Sequence, residues 1–276
     1  MKTISADKIK KAVEDLCIRA NLFLRKDVLL ALRRAYREER NGRARRIIAA
    51  LIKNADVASS EGLAICQDTG MPVVFLEIGQ NVRVSGNLQK AVNRGIESGY
   101  RKGALRNSVV REPLSRKKAG FTPGIIHTDI VEGDKLKVTV LPKGFGCENK
   151  AQLKMFNPTA EWREIKEFII SAVKNAGPDA CPPYIVGVGI GGTADYAMFL
   201  AKKSLLSKVP NARKAKSKIE KELLDELNKL RIGPMGLGGD ATVLAVHIST
   251  FPTHIAGLPV AVNISCHALR SQTKIL

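Results

Sequence analysis

The apolar positions of the first 60 residues repeat with a helical period. The first predicted helix can be capped by Ser5, and its apolar positions share one face: Ile9, Val13, Leu16, Cys17 and Ala20. A second helix is predicted from near Asp27, and a basic stretch at 37–46 connects it to a third. We interpret the arginines of that stretch as a solvated face. The sequence therefore predicts a helical N-terminal part over residues 1–60.

Beyond residue 60, extended and helical patterns alternate. Continuous or alternating apolar runs predict strands at 73–79, 125–131, 135–141, 184–193 and 241–248, and in the run 254–266. Helical periods follow at 89–101, 161–175, 193–202 and 219–230. The turn around Gly133 favours a hairpin between the second and third strands. These elements predict an α/β fold in which a mixed β-sheet is flanked by helices.

The composition limits the classes of protein to which the chain can belong. A chain of 276 residues can bury one large core or two modest ones, and only 5% of its residues are aromatic, so the interior is predicted to be aliphatic. No apolar run approaches the roughly 20 residues that cross a bilayer. The first residues follow a helical period without a signal-peptide apolar region. We therefore expect a soluble, cytoplasmic protein without membrane contact.

The charge is strongly basic. The chain has 45 Lys and Arg against 26 Asp and Glu, a formal net charge of +19. Such a field attracts nucleic acid, acidic partners or anionic substrates. A basic nucleic-acid-binding protein is therefore one hypothesis. Against it, the aromatic residues are not interleaved with the basic ones as stacking platforms would require.

The cysteines are the candidates for a chemical role in this chain. There are five, widely spaced and without a CxxC pair, so neither a zinc ribbon nor a disulfide framework is expected. Cys66, Cys181 and Cys266 each lie where a strand meets a loop. Three thiolates without a fourth suggest a metal centre with an open position, although three independent core residues would give the same count. Cys17 lies on an apolar helical stripe and is predicted to be core.

A second motif suggests a different enzyme. Gly187, Gly189 and Gly192 spell G-x-G-x-x-G between a predicted strand and a predicted helix, as in dinucleotide-binding folds. That fingerprint also needs a second strand with an acidic residue about 20 positions further on. The basic stretch at 211–218 provides neither, so nicotinamide binding is not favoured.

Several long motifs carry a family resemblance: CQDTGMPVVFLEIG, PKGFGCENK, CPPYIVGVGIGGTAD, GPMGLGG and HIAGLPVAVNISCHA. They resemble the N-terminal domain of iron–sulfur class I fumarases. They are more closely similar to the α subunit of two-subunit fumarate hydratases and L(+)-tartrate dehydratases. The resemblance covers residues from about 60 to the C-terminus and implies one catalytic domain over 1–276.

The resemblance also implies a site. In this family three cysteines bind a [4Fe-4S] cluster, which corresponds to Cys66, Cys181 and Cys266 and places the cluster at strand–loop junctions. Asp68 is the implied catalytic residue, handling the proton of the substrate hydroxyl. The residues implied to face the substrate are Gln67, Arg106, Gly146 and His254.

The implied activity is a hydro-lyase reaction with the cluster as Lewis acid. The first expectation is reversible hydration of fumarate to L-malate, as in the tricarboxylic acid cycle, and the alternative is dehydration of L(+)-tartrate. A separate β subunit is expected to supply the missing C-terminal domain and the base for the carbon-bound proton, in an α2β2 assembly. Cys147 and Asp240 depart from the family pattern, which usually has a serine and a basic residue there, and His267 has no assigned role.

Overall fold

The computed structural model describes residues 1–210 and 217–276. Its strands are β1 (Lys2–Ser5), β2 (Met71–Gly79), β3 (Val82–Ser85), β4 (Val109–Val110), β5 (Ala119–Gly120), β6 (Ile125–Val131), β7 (Leu136–Lys143), β8 (Gln152–Phe156), β9 (Tyr184–Gly191), β10 (Val243–Phe251), β11 (Leu258–Ser265) and β12 (Gln272–Ile275). Its helices are α1 (Ala6–Leu22), α2 (Lys26–Glu38), α3 (Gly42–Glu61), α4 (Leu88–Lys102), α5 (Phe145–Glu148), α6 (Trp162–Ala176), α7 (Ala194–Ser204) and α8 (Lys218–Lys229).

The chain divides into two compact units. Unit 1 comprises Met1–Arg25, Asp56–Phe145 and Arg270–Leu276, and unit 2 comprises Lys26–Ala55 and Gly146–Leu269. Each unit contains a four-stranded sheet with parallel and antiparallel neighbours. The predicted mixed sheet flanked by helices is thus confirmed, but the described residues form two such sheets. The prediction of one domain over 1–276 stays a prediction.

Unit 1 is built on a sheet of order β12-β7-β2-β6. Helices α1 and α4 pack together, and α1 lies against β7 and β12. The helix α1 begins as predicted, because the Ser5 Oγ accepts the amide of Lys8 at 3.2 Å. Gly95 permits the close helix contact, since a Cβ there would lie 2.6 Å from the carbonyl oxygen of Lys10. Cys17 is fully buried in this core, as its apolar stripe predicts.

Unit 2 is built on a sheet of order β10-β9-β11-β8 with helices on both faces. The valines at alternate positions of β9 face α6 and α8, whereas Gly187 and Gly189 face α7. A Cβ on either glycine would lie 2.1 Å from a backbone oxygen of α7. These glycines therefore serve close strand–helix packing, which accounts for two glycines of the G-x-G-x-x-G motif without a dinucleotide.

Some sequence predictions were wrong in detail. β6 and β7 are not hairpin partners, because β2 lies between them, parallel to β6 and antiparallel to β7. The first residues form β1, which pairs with β3, before α1 begins. The strands β3, β4, β5, β8 and β12 were missed. Residues 211–216, part of the basic stretch that argued against a dinucleotide site, lie outside the described residues. In the described ranges, no helix is both long and apolar enough to cross a bilayer.

Candidate metal centre

Burial divides the five cysteines into two groups. Cys17 and Cys147 are 0% and 6% exposed, whereas Cys66, Cys181 and Cys266 are half-buried. Burial raises the pKa of the Cys17 thiol far above its ordinary value, so that cysteine is a poor metal ligand. None of the five forms a disulfide. The three cysteines predicted as ligands are thus the three that solvent reaches.

In unit 1, Cys66 lies in a turn between α3 and β2. The amide of Ile65 donates to the carbonyl oxygen of Asn21 at 3.0 Å, which fixes the start of the turn. At its end Gly70 has a φ of +74°, and a Cβ there would lie 2.7 Å from the Pro142 backbone. The turn therefore requires glycine at this position for both conformation and space.

The carboxylate of Asp68 holds this turn against the end of β7. Its Oδ1 accepts the amide of Gly70 at 2.9 Å, and its Oδ2 accepts the amide of Phe145 at 2.8 Å. The predicted catalytic residue is therefore half-buried and engaged with backbone through both oxygens. Each oxygen retains a second lone pair for a further donor.

The side chains of Tyr100 and Thr69 make further hydrogen bonds that hold the Cys66 turn. The buried Tyr100 hydroxyl donates to the carbonyl oxygens of Thr69 and Gly70 at 2.9 and 3.0 Å. Burial raises the pKa of Tyr100, so this group remains a protonated donor. The hydroxyl of Thr69 accepts the amide of Arg106 at 3.1 Å. The structure thus brings Arg106 beside the Cys66 turn, with its side chain exposed, as is that of Gln67.

Arg270 contacts the Cys66 turn and was not among the residues predicted from the sequence. Its side chain is 3% exposed, and its Nη2 donates to the carbonyl oxygen of Asp68. Among the residues described, its Nε and Nη1 have no hydrogen-bond partner and are shielded from solvent. No local sequence pattern marks it, because its significance comes from its burial and from this contact.

In unit 2, Cys181 and Cys266 lie at the same end of two neighbouring strands. Cys181 precedes β9, Cys266 follows β11, and these two strands are antiparallel with Ser265 opposite Ile185. His267 joins the two segments: its amide and its Nδ1 lie 3.4 and 3.1 Å from the carbonyl oxygen of Cys181. Cys181 has a φ of +57°, a conformation that such contacts must support.

The Gly146 loop lies next to the Cys181 segment. The Cys147 thiol, one residue after the exposed Gly146, donates to the carbonyl oxygen of Ala180 at 3.3 Å. Glu148 anchors the loop by an ion pair with Lys202 and by a 3.2 Å hydrogen bond from Asn263. The cysteine that departs from the family pattern is therefore a structural donor beside a predicted ligand.

His254 lies elsewhere in unit 2. It is exposed in the loop before β11, and its Nδ1 accepts the amide of Ala256 at 3.2 Å. Cys266 follows the other end of β11, whose eight residues span about 26 Å at about 3.3 Å per residue. Within one chain, the structure therefore does not bring His254 to Cys266.

A cavity of about 880 Å³ also lies in unit 2, but it contains none of the predicted site residues. Its wall includes Asp240, which pairs with Arg40 at 2.9 Å and with Arg231 at 3.0 Å. The hydrogen bond from Arg40 lowers the pKa of Asp240. This ion pairing accounts for an acidic residue at a position where the family pattern favours a basic one.

The described residues contain no group of three or more His, Cys, Asp or Glu side chains arranged to hold a metal ion. What the structure shows is two local arrangements. In unit 1, Cys66, Gln67, Asp68 and Arg106 lie in connected segments supported by Tyr100 and Arg270. In unit 2, Cys181, Cys266 and Gly146 lie in connected segments supported by His267 and Cys147.

Comparison with known proteins identifies relatives over nearly the whole chain. A family model described as fumarate hydratase (Fumerase) matches residues 10–274. A protein of Methanocaldococcus jannaschii, provisionally named L(+)-tartrate dehydratase subunit alpha, is 39% identical over 277 residues, with 97% of each chain covered. The L(+)-tartrate dehydratase subunit alpha of Escherichia coli O157:H7 is 30% identical over 258 residues, which covers 91% of this chain and 84% of that one.

Proposed function

The chain belongs to the fumarate hydratase family, and from this premise we propose that it is the α subunit of an iron–sulfur hydro-lyase that acts on a 2-hydroxy dicarboxylate. Family membership gives the reaction class, a carbon–oxygen lyase. The observation that carries the rest is the division of the cysteines: the three family ligand positions are half-buried, in the connections before β2 and β9 and directly after β11, and the other two are buried.

L(+)-tartrate is the substrate that we propose. The two relatives described above bear the name of a tartrate dehydratase subunit, whereas fumarate appears only in the description of the family. The initial expectation of fumarate and L-malate is therefore the second candidate. Both substrates are dicarboxylates, and a net charge of +19 would concentrate such anions near the protein.

The donor chemistry fits a [4Fe-4S] cluster. Thiolates are the preferred ligands of iron–sulfur clusters, and Cys66, Cys181 and Cys266 are the thiols of this chain that solvent reaches. The buried guanidinium of Arg270, with two nitrogens lacking partners among the described residues, suits an anionic group nearby. When bound by three thiolates, the cluster would supply a Lewis-acidic iron at its open position.

The residues of the Cys66 turn would bind and orient the substrate. The exposed Arg106 can hold a carboxylate through two parallel N–H bonds, and its backbone is fixed by Thr69. Gln67 can donate from its amide. Asp68 can accept the proton of the substrate hydroxyl with a remaining lone pair while its backbone contacts hold it in place.

The complete site needs further chains. We propose a β subunit, as the names of the relatives suggest for them, which supplies the base for the carbon-bound proton. His254 lies at the far end of β11 from Cys266, so it would serve that site from a second copy of the chain. An α2β2 assembly, with both units of this chain in one catalytic domain, would meet both requirements.

The test is turnover after anaerobic reconstitution with iron and sulfide, with and without the co-expressed β subunit. We expect oxaloacetate from L(+)-tartrate, and less product from L-malate. Arg106→Leu should raise KM and lower kcat, whereas Arg231→Leu, a matched control at an exposed arginine, should change neither. Absence of C–O cleavage of either substrate by the reconstituted complex would refute the proposal.

A further inference from the structure

Arg270 occupies an unusual environment for a cation. Its side chain is 3% exposed, and the one hydrogen bond described for its side chain goes from Nη2 to a neutral acceptor, the carbonyl oxygen of Asp68. Its Nε and Nη1 have no partner among the residues that the structure describes. A buried charge is normally retained only when an opposite charge or a full set of hydrogen bonds compensates it.

The position of this guanidinium indicates what it serves. Asp68, whose carbonyl oxygen it contacts, lies two residues after Cys66, and Tyr100 holds the next two carbonyl oxygens of the same turn. Three consecutive carbonyl oxygens of the turn are thus held by two buried side chains.

We propose that Arg270 is a positioning residue for the cofactor: it holds the Cys66 turn through Asp68 and supplies the positive charge that balances an anionic iron–sulfur cluster. This inference rests on the proposed function. A cluster bound by three thiolates is anionic overall, and N–H groups and charges around it set its stability and its reduction potential. Arg270 holds the turn through its Nη2, which donates to the carbonyl oxygen of Asp68. Its positive charge, and the N–H groups of Nε and Nη1 that have no partner among the described residues, would then serve the cluster.

This role predicts opposite effects on the metal-free and the loaded protein. In Arg270→Met the side chain keeps a similar length but loses its charge. The metal-free variant should therefore melt at the same temperature as the metal-free wild type or higher, because a buried uncompensated charge has been removed. Reconstitution with iron and sulfide should raise its melting temperature less than it raises that of the wild type.

The experiment measures melting temperature before and after anaerobic reconstitution of the full chain, iron release to a chelator, and the midpoint potential of the cluster. Arg270→Met should release iron about tenfold faster or more, the range for losing an outer-shell partner, and should have a lower potential. Arg270→Lys, which keeps the charge, should retain a potential near that of the wild type. Arg94→Met, at an exposed arginine of α4, should match the wild type throughout.

Two results would overturn the inference. One is an iron release rate and potential in Arg270→Met equal to those of the wild type. The other is a fall in melting temperature that is equal in the metal-free and loaded forms, which indicates a purely structural role. If Arg270→Met does not fold, Arg270→Lys decides alone. A cluster potential in Arg270→Lys well below that of the wild type, although the charge is retained, would contradict the proposal. Failure of the wild type to take up iron would instead refute the proposed function, and this inference with it.

Discussion

Tyr100→Phe is the sharpest test of how the Cys66 turn is held. The substitution removes one buried hydroxyl, which donates to the carbonyl oxygens of Thr69 and Gly70 at 2.9 and 3.0 Å, and keeps the ring in the core. No cavity is created, so the cost is that of the lost hydrogen bond. Leaving buried carbonyl groups without their donor costs about 1–3 kcal/mol.

If the free energy of unfolding falls by about 2 kcal/mol, the melting temperature should fall by about 4–8 °C, because each kcal/mol corresponds to roughly 2–4 °C for domains of this size class. Thermal unfolding of the metal-free chain, followed by circular dichroism, measures this value. Tyr196→Phe is a matched control at a half-buried ring whose packing on Phe251 the substitution retains. A fall of less than 1 °C in Tyr100→Phe, or an equal fall in both variants, would refute the assigned role of the hydroxyl.

Three further outcomes follow from the described contacts. Gly189→Ala should yield little folded protein, because the new Cβ would lie 2.1 Å from a backbone oxygen of α7, whereas Gly42→Ala, with nothing within 4 Å, should express normally. Asp240→Asn should lower the melting temperature more at pH 7 than at pH 3: the pKa of Asp240 is depressed in the folded state, so its contribution is present above the unfolded value and is lost progressively as the pH falls through the folded value. Equal effects at both pH values would contradict this. His267→Ala should weaken iron retention by loosening the Cys181 segment, as measured by iron release to a chelator, and an unchanged release rate would show that His267 has no such role.

The parts of the fold that depend on local periodicity were predictable. The apolar stripe of α1 placed Cys17 in the core, and the uninterrupted apolar run before Cys266 predicted a buried strand, which is β11. Pairing over long distances was not predictable in the same way. The turn at Gly133 favours neighbouring strands, but β2, from earlier in the chain, pairs with both β6 and β7 and separates them.

The site residues named from the resemblance stay a prediction. The resemblance named Cys66, Cys181 and Cys266, and the structure adds that all three are half-buried. Nothing in a local pattern distinguishes Arg270 from other basic residues, because its significance comes from burial and from a contact with Asp68, 202 positions away in sequence. His267 likewise gained a role only once antiparallel β9 and β11 placed it beside Cys181.

The most direct test of the central claim is the iron and acid-labile sulfide content of single cysteine variants after anaerobic reconstitution, together with their EPR spectra. Cys66→Ser, Cys181→Ser and Cys266→Ser should each lose most of the cluster. Cys17→Ala and Cys147→Ser, which alter the two buried cysteines, should retain it. Full cluster content in any of the first three, or its loss only in the last two, would contradict the assignment of the metal centre.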